Sequence, residues 1–174
     1  MRGKYLDDFI KDCSGRYIYR GSVYTYAETN SLPRRKAVAY LRLLTAAAFA
    51  LALAQGCIPA DGMLGCVYVL VPYCGELFSA GSALWALFPL GSGDAIRQYN
   101  FAVSAEVLPR RALLTAVFAA LTLAGEGVYL IIHGTDNALC IALLVLFMIL
   151  AGAAAMYLRR FVLTLRWEKE NTAD

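Results

Sequence analysis

The sequence predicts an all-α integral membrane protein, a four-transmembrane-helix bundle with a small N-terminal cytoplasmic β-hairpin. Three observations lead there: apolar residues gathered into four long blocks, basic residues restricted to alternate connections, and an alternating tyrosine-rich stretch ahead of the first block. Apolar residues make up 60% of the chain and charged residues 17%. The mean hydropathy is +0.56, whereas a soluble domain is only about 45–50% apolar.

The blocks give spans at about 37–56, 64–88, 112–133 and 138–158, each near the roughly 20 residues a helix needs to cross the hydrocarbon core. None alternates with period two, which excludes an outer-membrane barrel. Helices remain, because backbone amides in lipid must find partners within their own segment. The chain divides into a cytoplasmic segment (1–32), the transmembrane domain (33–158) and a cytoplasmic tail (159–174).

In the first segment, Tyr5, Leu6, Phe9, Ile10 and Cys13 recur at helical spacing, so 4–13 fits a short amphipathic helix at the membrane surface. Residues 16–27 alternate like a hairpin, with Gly21-Ser22 as a two-residue II′ turn. That register pairs Tyr19 with Tyr24 and Tyr17 with Tyr26, placing four tyrosines on one face. A lone hairpin is marginal in water, so this face is expected to dock on something. Thr29-Asn30-Ser31 and Pro33 supply the start of span one. Its polar lead is too long for a signal peptide, so the span is expected to be permanent.

Pro72 lies inside span two and frees the carbonyl of Tyr68, which predicts a kink. The 94–107 stretch fits a surface helix, and Pro109 with Arg110-Arg111 opens span three. The tail is expected to prolong span four by a few turns and then fray.

Charge sets the orientation. Lys and Arg precede span one (Arg2, Lys4, Lys11, Arg16, Arg20, Arg34, Arg35, Lys36), separate spans two and three (Arg97, Arg110, Arg111) and follow span four (Arg159, Arg160, Arg166, Lys169). The loops at 59–63 and 133–137 contain none. The positive-inside rule places both termini in the cytoplasm of a multi-pass protein of the cell (plasma) membrane. The net charge of +3 reflects these topology anchors and their contact with lipid head groups, so no nucleic-acid partner is expected.

Ionisable residues inside a membrane are costly and are functional candidates by default. Three qualify: Arg42, Glu76 and Glu126. Tyr73 lies one helical turn from Glu76, and Tyr129 one turn from Glu126, each pair on one face. These five are the candidate proton- or cation-binding residues, and a polar seam between spans two and three is expected. An interhelical clamp is the competing structural role for the glutamates. Arg42 fits a snorkelling anchor and is long enough to reach toward Glu76. Tyr17, Tyr19, Tyr24 and Tyr26 are the partner-docking candidates.

Cys57, Cys66 and Cys140 fall near span ends and Cys74 is expected to be buried, with no C-x-x-C pair among them. A Cys57–Cys66 bond is conceivable, although free thiols fit the spacing better. His133 is the only histidine, so no metal site and no cofactor are expected. No Walker motif or nucleophile elbow is present, which lowers the expectation of an enzyme. Ala46, Ala50 and Ala54, and the run Ala151–Ala155, form small-residue packing faces. The leading expectation is an accessory or assembly subunit that forms a homo-oligomer or docks on a membrane partner. A small oligomeric proton- or cation-coupled transporter or channel using Glu76 and Glu126 is the alternative, and a membrane enzyme acting on a lipid or quinone is the third.

Overall fold

A computed structural model of the chain describes residues 9–11, 15–19, 21–59, 65–90, 95–134 and 137–171. Three short strands come first, β1 (Phe9–Lys11), β2 (Tyr17–Tyr19) and β3 (Ser22–Tyr26). The helices α1 (Arg34–Gly56) and α2 (Val67–Ala86) follow. A 3-10 turn (Phe88–Leu90), β4 (Ala95–Arg97) and α3 (Gln98–Val103) lead into α4 (Leu108–His133). Helix α5 (Ala138–Thr164) and β5 (Trp167–Asn171) complete the chain. Among the described residues, four helical stretches are long and apolar enough to cross a membrane.

The long helices form a ring in the order α1, α2, α4, α5, with α5 closing back on α1 and the α1–α2 contact the slimmest of the four. Small residues let the backbones approach: Ala48 and Ala52 of α1, Ala112 and Ala119 of α4, and Ala151 and Ala155 of α5 are buried. The α1 face expected at Ala46, Ala50 and Ala54 is not the packed one. Leu41, Thr45, Ala48, Ala52 and Gln55 point inward instead, a stripe at three- and four-residue spacing. Helix α2 continues through Pro72. The Tyr68 carbonyl that Pro72 leaves without its helical donor is covered by Gly125 of α4, where a Cβ would lie 2.9 Å from that oxygen.

The hairpin expected at 16–27 does not form. Strand β2 pairs with β1, while β3 is the centre of a three-stranded antiparallel sheet ordered β4-β3-β5. Tyr24 lies opposite Ile96 and Lys169, and Tyr26 opposite Trp167. The physical reason is satisfaction of both strand edges: a hairpin partner would occupy an edge that β4 or β5 now pairs with. Gly21 makes no II′ turn either, since among the described residues only Gly15 and Gly134 have positive φ. Tyr19 folds back over Gly21, so that a Cβ there would strike the Tyr19 ring, and its hydroxyl donates to the Ser22 carbonyl at 3.1 Å.

Three further expectations change. Residues 9–11 are a strand rather than part of a helix, and the rest of the expected 4–13 helix lies outside the described residues. The connection expected as one surface helix is β4 followed by the six-residue α3. The tail does not fray within the described residues: α5 ends at Thr164 and the chain returns as β5. Asn30 clasps it, donating to the Arg166 carbonyl at 2.9 Å and accepting from the Arg166 amide at 2.9 Å. The sheet caps one end of the bundle, with Ile96 buried against Leu41, Leu90, Leu108 and Leu158. We call this the sheet end, and the opposite end the far end.

Candidate functional site

Burial selects the site. Most buried side chains in the bundle are apolar, but Gln55, Glu76, Ser79, Thr115, Thr122 and Glu126 are also sealed inside it. All lie on α1, α2 and α4, and none on α5. The register of α2 against α4 follows from three contacts. Gly125 meets Tyr68, Gly75 meets the Phe118 ring, and Thr115 Oγ1 donates to Ser79 Oγ at 3.0 Å.

The seam therefore has levels. Near the far end is Glu126, with Tyr68 as an electrostatic neighbour both of it and of Tyr129. With Gly125 beside Val69, Glu126 lies level with Tyr68, and the rise from there to Glu76 places the two glutamates about 12 Å apart along the axis. At the middle level Gln55 Nε2 donates to Glu76 Oε1 at 3.0 Å. Both residues are 0% exposed. Gln55 Oε1 and Glu76 Oε2 have no hydrogen-bond partner among the described residues. Toward the sheet end Ser79 Oγ donates to the Glu76 carbonyl at 2.9 Å, and Arg111 donates to the Ser82 carbonyl.

The sequence-derived residues fall unevenly on this seam. Glu76 and Glu126 are inside it, on the two helices expected to meet. Tyr73 is buried, but its hydroxyl lies against the backbone of Gly56. Tyr129 is half-buried and stacks on His133, with ring centroids 4.5 Å apart. Arg42 does not reach Glu76. It is exposed and lines an open groove of 400 Å³ with Ala46, Leu84, Leu87 and Phe88. Gln55, the direct partner of Glu76, escaped the sequence reading because it sits one residue from the helix end. Its signal was its spacing from Ala48 and Ala52 on the buried stripe.

The docking tyrosines are mostly engaged within the chain. Tyr24 stacks on Phe101 with centroids 3.9 Å apart. Tyr26 meets Trp167 edge-on and donates to the Leu32 carbonyl at 3.0 Å, and burial pushes its phenol pKa up. Tyr19 accepts from the Gln98 amide at 3.3 Å, under the Arg97 guanidinium. Tyr17 alone of the four is exposed, at 72%.

Cys57, Cys66, Cys74 and Cys140 are free thiols. Cys74 is exposed on the apolar outer surface, not buried as expected. Cys13 lies outside the described residues. Among the described residues no three His, Cys, Asp or Glu side chains group as a metal site. No protein-family model, curated protein or solved structure matches the chain.

Proposed function

We propose that this chain is a multi-pass membrane protein that moves a small cation across the bilayer, with the Glu76–Gln55 pair as its binding site. The observation that carries the reading is the complete burial of a carboxyl group at mid-seam, with an amide as its hydrogen-bond partner and one oxygen left open. A carboxyl in that setting is expensive in a bilayer, and residues of this kind mark ion and proton paths. Glu126 on one side, and Ser79 with Thr115 on the other, extend the polar track along the bundle.

The sheet end faces the cytoplasm in this reading. Arg34, Arg35, Lys36, Arg97, Arg110, Arg111, Arg159, Arg160, Arg166 and Lys169 all belong to that end, and positively charged residues stay inside. The outer surface is apolar, with Phe78, Trp85, Ile131 and Leu139 exposed. It faces lipid and further copies of the chain in a homo-oligomer. Docking through a tyrosine hairpin has less support, because Tyr19, Tyr24 and Tyr26 are held by intrachain contacts.

The test is flux in liposomes carrying the purified chain, read by internal pH- and cation-sensitive dyes under an imposed gradient. Wild-type protein is expected to dissipate one gradient, and Glu76→Gln to lower the rate at least about tenfold. A wild-type rate equal to that of empty liposomes overturns the proposal.

A further inference from the structure

Two open oxygens need explaining. Gln55 has one amide and Glu76 one carboxyl, and a single hydrogen bond joins them, Nε2 to Oε1. What remains is one oxygen on each partner, both buried and without a hydrogen-bond partner among the described residues. A carboxylate with a lone protein donor in a buried site would lack most of its hydrogen bonds. A neutral carboxylic acid has one O–H to donate, and the carbonyl oxygen of the same Gln55 amide is the complementary acceptor.

We infer that the cation this site takes is a proton, held on Glu76 Oε2 and shared with Gln55 Oε1 in a doubly hydrogen-bonded acid–amide ring. The inference rests on the reading of Glu76 and Gln55 as the binding site and names what occupies it. The ring closes by rotation about the terminal torsions of the two side chains, which are soft.

Two quantities favour a proton over a metal ion. A hard divalent cation takes about six or more oxygen ligands, whereas two oxygens are open here. The Ser79 hydroxyl below is already engaged, donating to the Glu76 carbonyl and accepting from Thr115. The position of Gln55 also matters. It lies in the last turn of α1, where the partial negative charge of the helix end opposes a second negative charge nearby.

The surroundings are short of other titratable groups. Helix α1 contributes Arg42, which is exposed and lines the groove near the sheet end. Helix α2 contributes Tyr73, whose hydroxyl lies against Gly56 and whose electrostatic neighbours are Glu76 itself and, more weakly, the Cys57 and Cys74 thiols. Helix α4 contributes Glu126, about 12 Å away along the axis, and Arg111, turned to the Ser82 carbonyl. The buried face of α5 offers only apolar side chains, Leu144 and Met148 among them. No cation stands beside Glu76 in this set to hold it as an anion.

Infrared spectroscopy of the full chain in lipid tests this directly. A protonated-carboxyl C=O band is expected at neutral pH, lost in Glu76→Gln and unmoved by added sodium or calcium. In Gln55→Leu the band shifts to higher wavenumber, because the acid loses its acceptor. Gln55→Asn, too short to close the ring, gives the same shift should the leucine variant fail to fold. A missing Glu76 band, a band displaced by sodium or calcium, or one unmoved in both Gln55 variants overturns the inference. Proton flux without the band removes the acid–amide ring and leaves the transport reading standing. The band without flux keeps the ring and removes transport.

Discussion

The two flanks of the bundle are built from different materials. Helix α5 packs on α1 and α4 through Leu144, Met148, Ala151, Ala155, Leu158 and Val162, with no polar group on its buried face. Helix α2 packs on α1 and α4 through Tyr73, Glu76, Ser79, Ala80 and Ala83, against Gln55, Thr115 and Thr122. Lipid tails are as apolar as leucine, so helix association in a bilayer rests on close fit, interhelical hydrogen bonds and lipid entropy. The apolar flank shows that fit alone can hold a helix here. The polar flank carries, besides such a fit, groups that are costly to bury in a bilayer, which is why the proposed function takes it as the working side.

Overpacking the polar flank should give the largest stability effect. A side chain at Gly125 meets the Tyr68 carbonyl at 2.9 Å and Val69 at 3.4 Å, and a backbone oxygen cannot rotate away. Gly125→Val is expected to cost about 3 kcal/mol, read as a lowered midpoint of thermal unfolding in detergent. Gly127, two residues along, has nothing within 4 Å, so Gly127→Val should leave the midpoint almost unchanged. Equal effects at both positions would mean that helix propensity, not the α2–α4 approach, sets the outcome.

The same operation on the apolar flank should be milder. Ala155 is 1% exposed, on a helix face whose other buried residues include the long side chains of Met148 and Leu158. Ala155→Leu is expected to cost about 1–2 kcal/mol, while Ala153→Leu on the exposed face costs close to nothing. A larger loss at Ala155 than at Gly125 would reverse the order of the two flanks.

Replacing the pair itself separates stability from function. Exchanging a buried polar pair for apolar residues of similar volume is often neutral or stabilising. The double variant Gln55→Met/Glu76→Met should therefore unfold within about 1 kcal/mol of wild type, yet lose flux. Glu76→Met alone leaves the Gln55 amide buried with nothing to donate to, and should cost about 1–3 kcal/mol. A double variant that falls apart would make the pair a clamp that the bundle needs.

Legibility in the sequence follows the same division between local and distant signals. The helices were readable because an apolar block of the right length leaves the backbone little choice in lipid. The faces holding Glu76 and Glu126 were readable because three- and four-residue spacing fixes which side chains share a side. The sheet was not. Its strands run to three or five residues, and β3 finds its partners at residues 95–97 and 167–171, pairings that no local pattern in 16–27 encodes. The alternation there correctly indicated strands and misled only about which strand meets which. Gln55 was passed over for a related reason: its role depends on how far α1 extends beside α2, which is a tertiary fact.

The smallest expected effect tests the weakest link of the polar track. Thr115 Oγ1 donates to Ser79 Oγ, but it also reaches the Arg111 carbonyl at 3.0 Å. Ser79 likewise has the Glu76 carbonyl as an acceptor within its own helix. Each hydroxyl therefore keeps a backbone acceptor when the other is removed, so neither is stranded. Interhelical hydrogen bonds of this kind average about 0.6 kcal/mol in membrane bundles. The cycle of Ser79→Ala, Thr115→Val and the double variant should show a coupling of about that size or less. If the track also conducts, flux should fall more in Ser79→Ala than so slight a stability change would produce. A coupling well above 1 kcal/mol with unchanged flux would make this level a structural bond and confine the cation path to the Glu76 level and the far end.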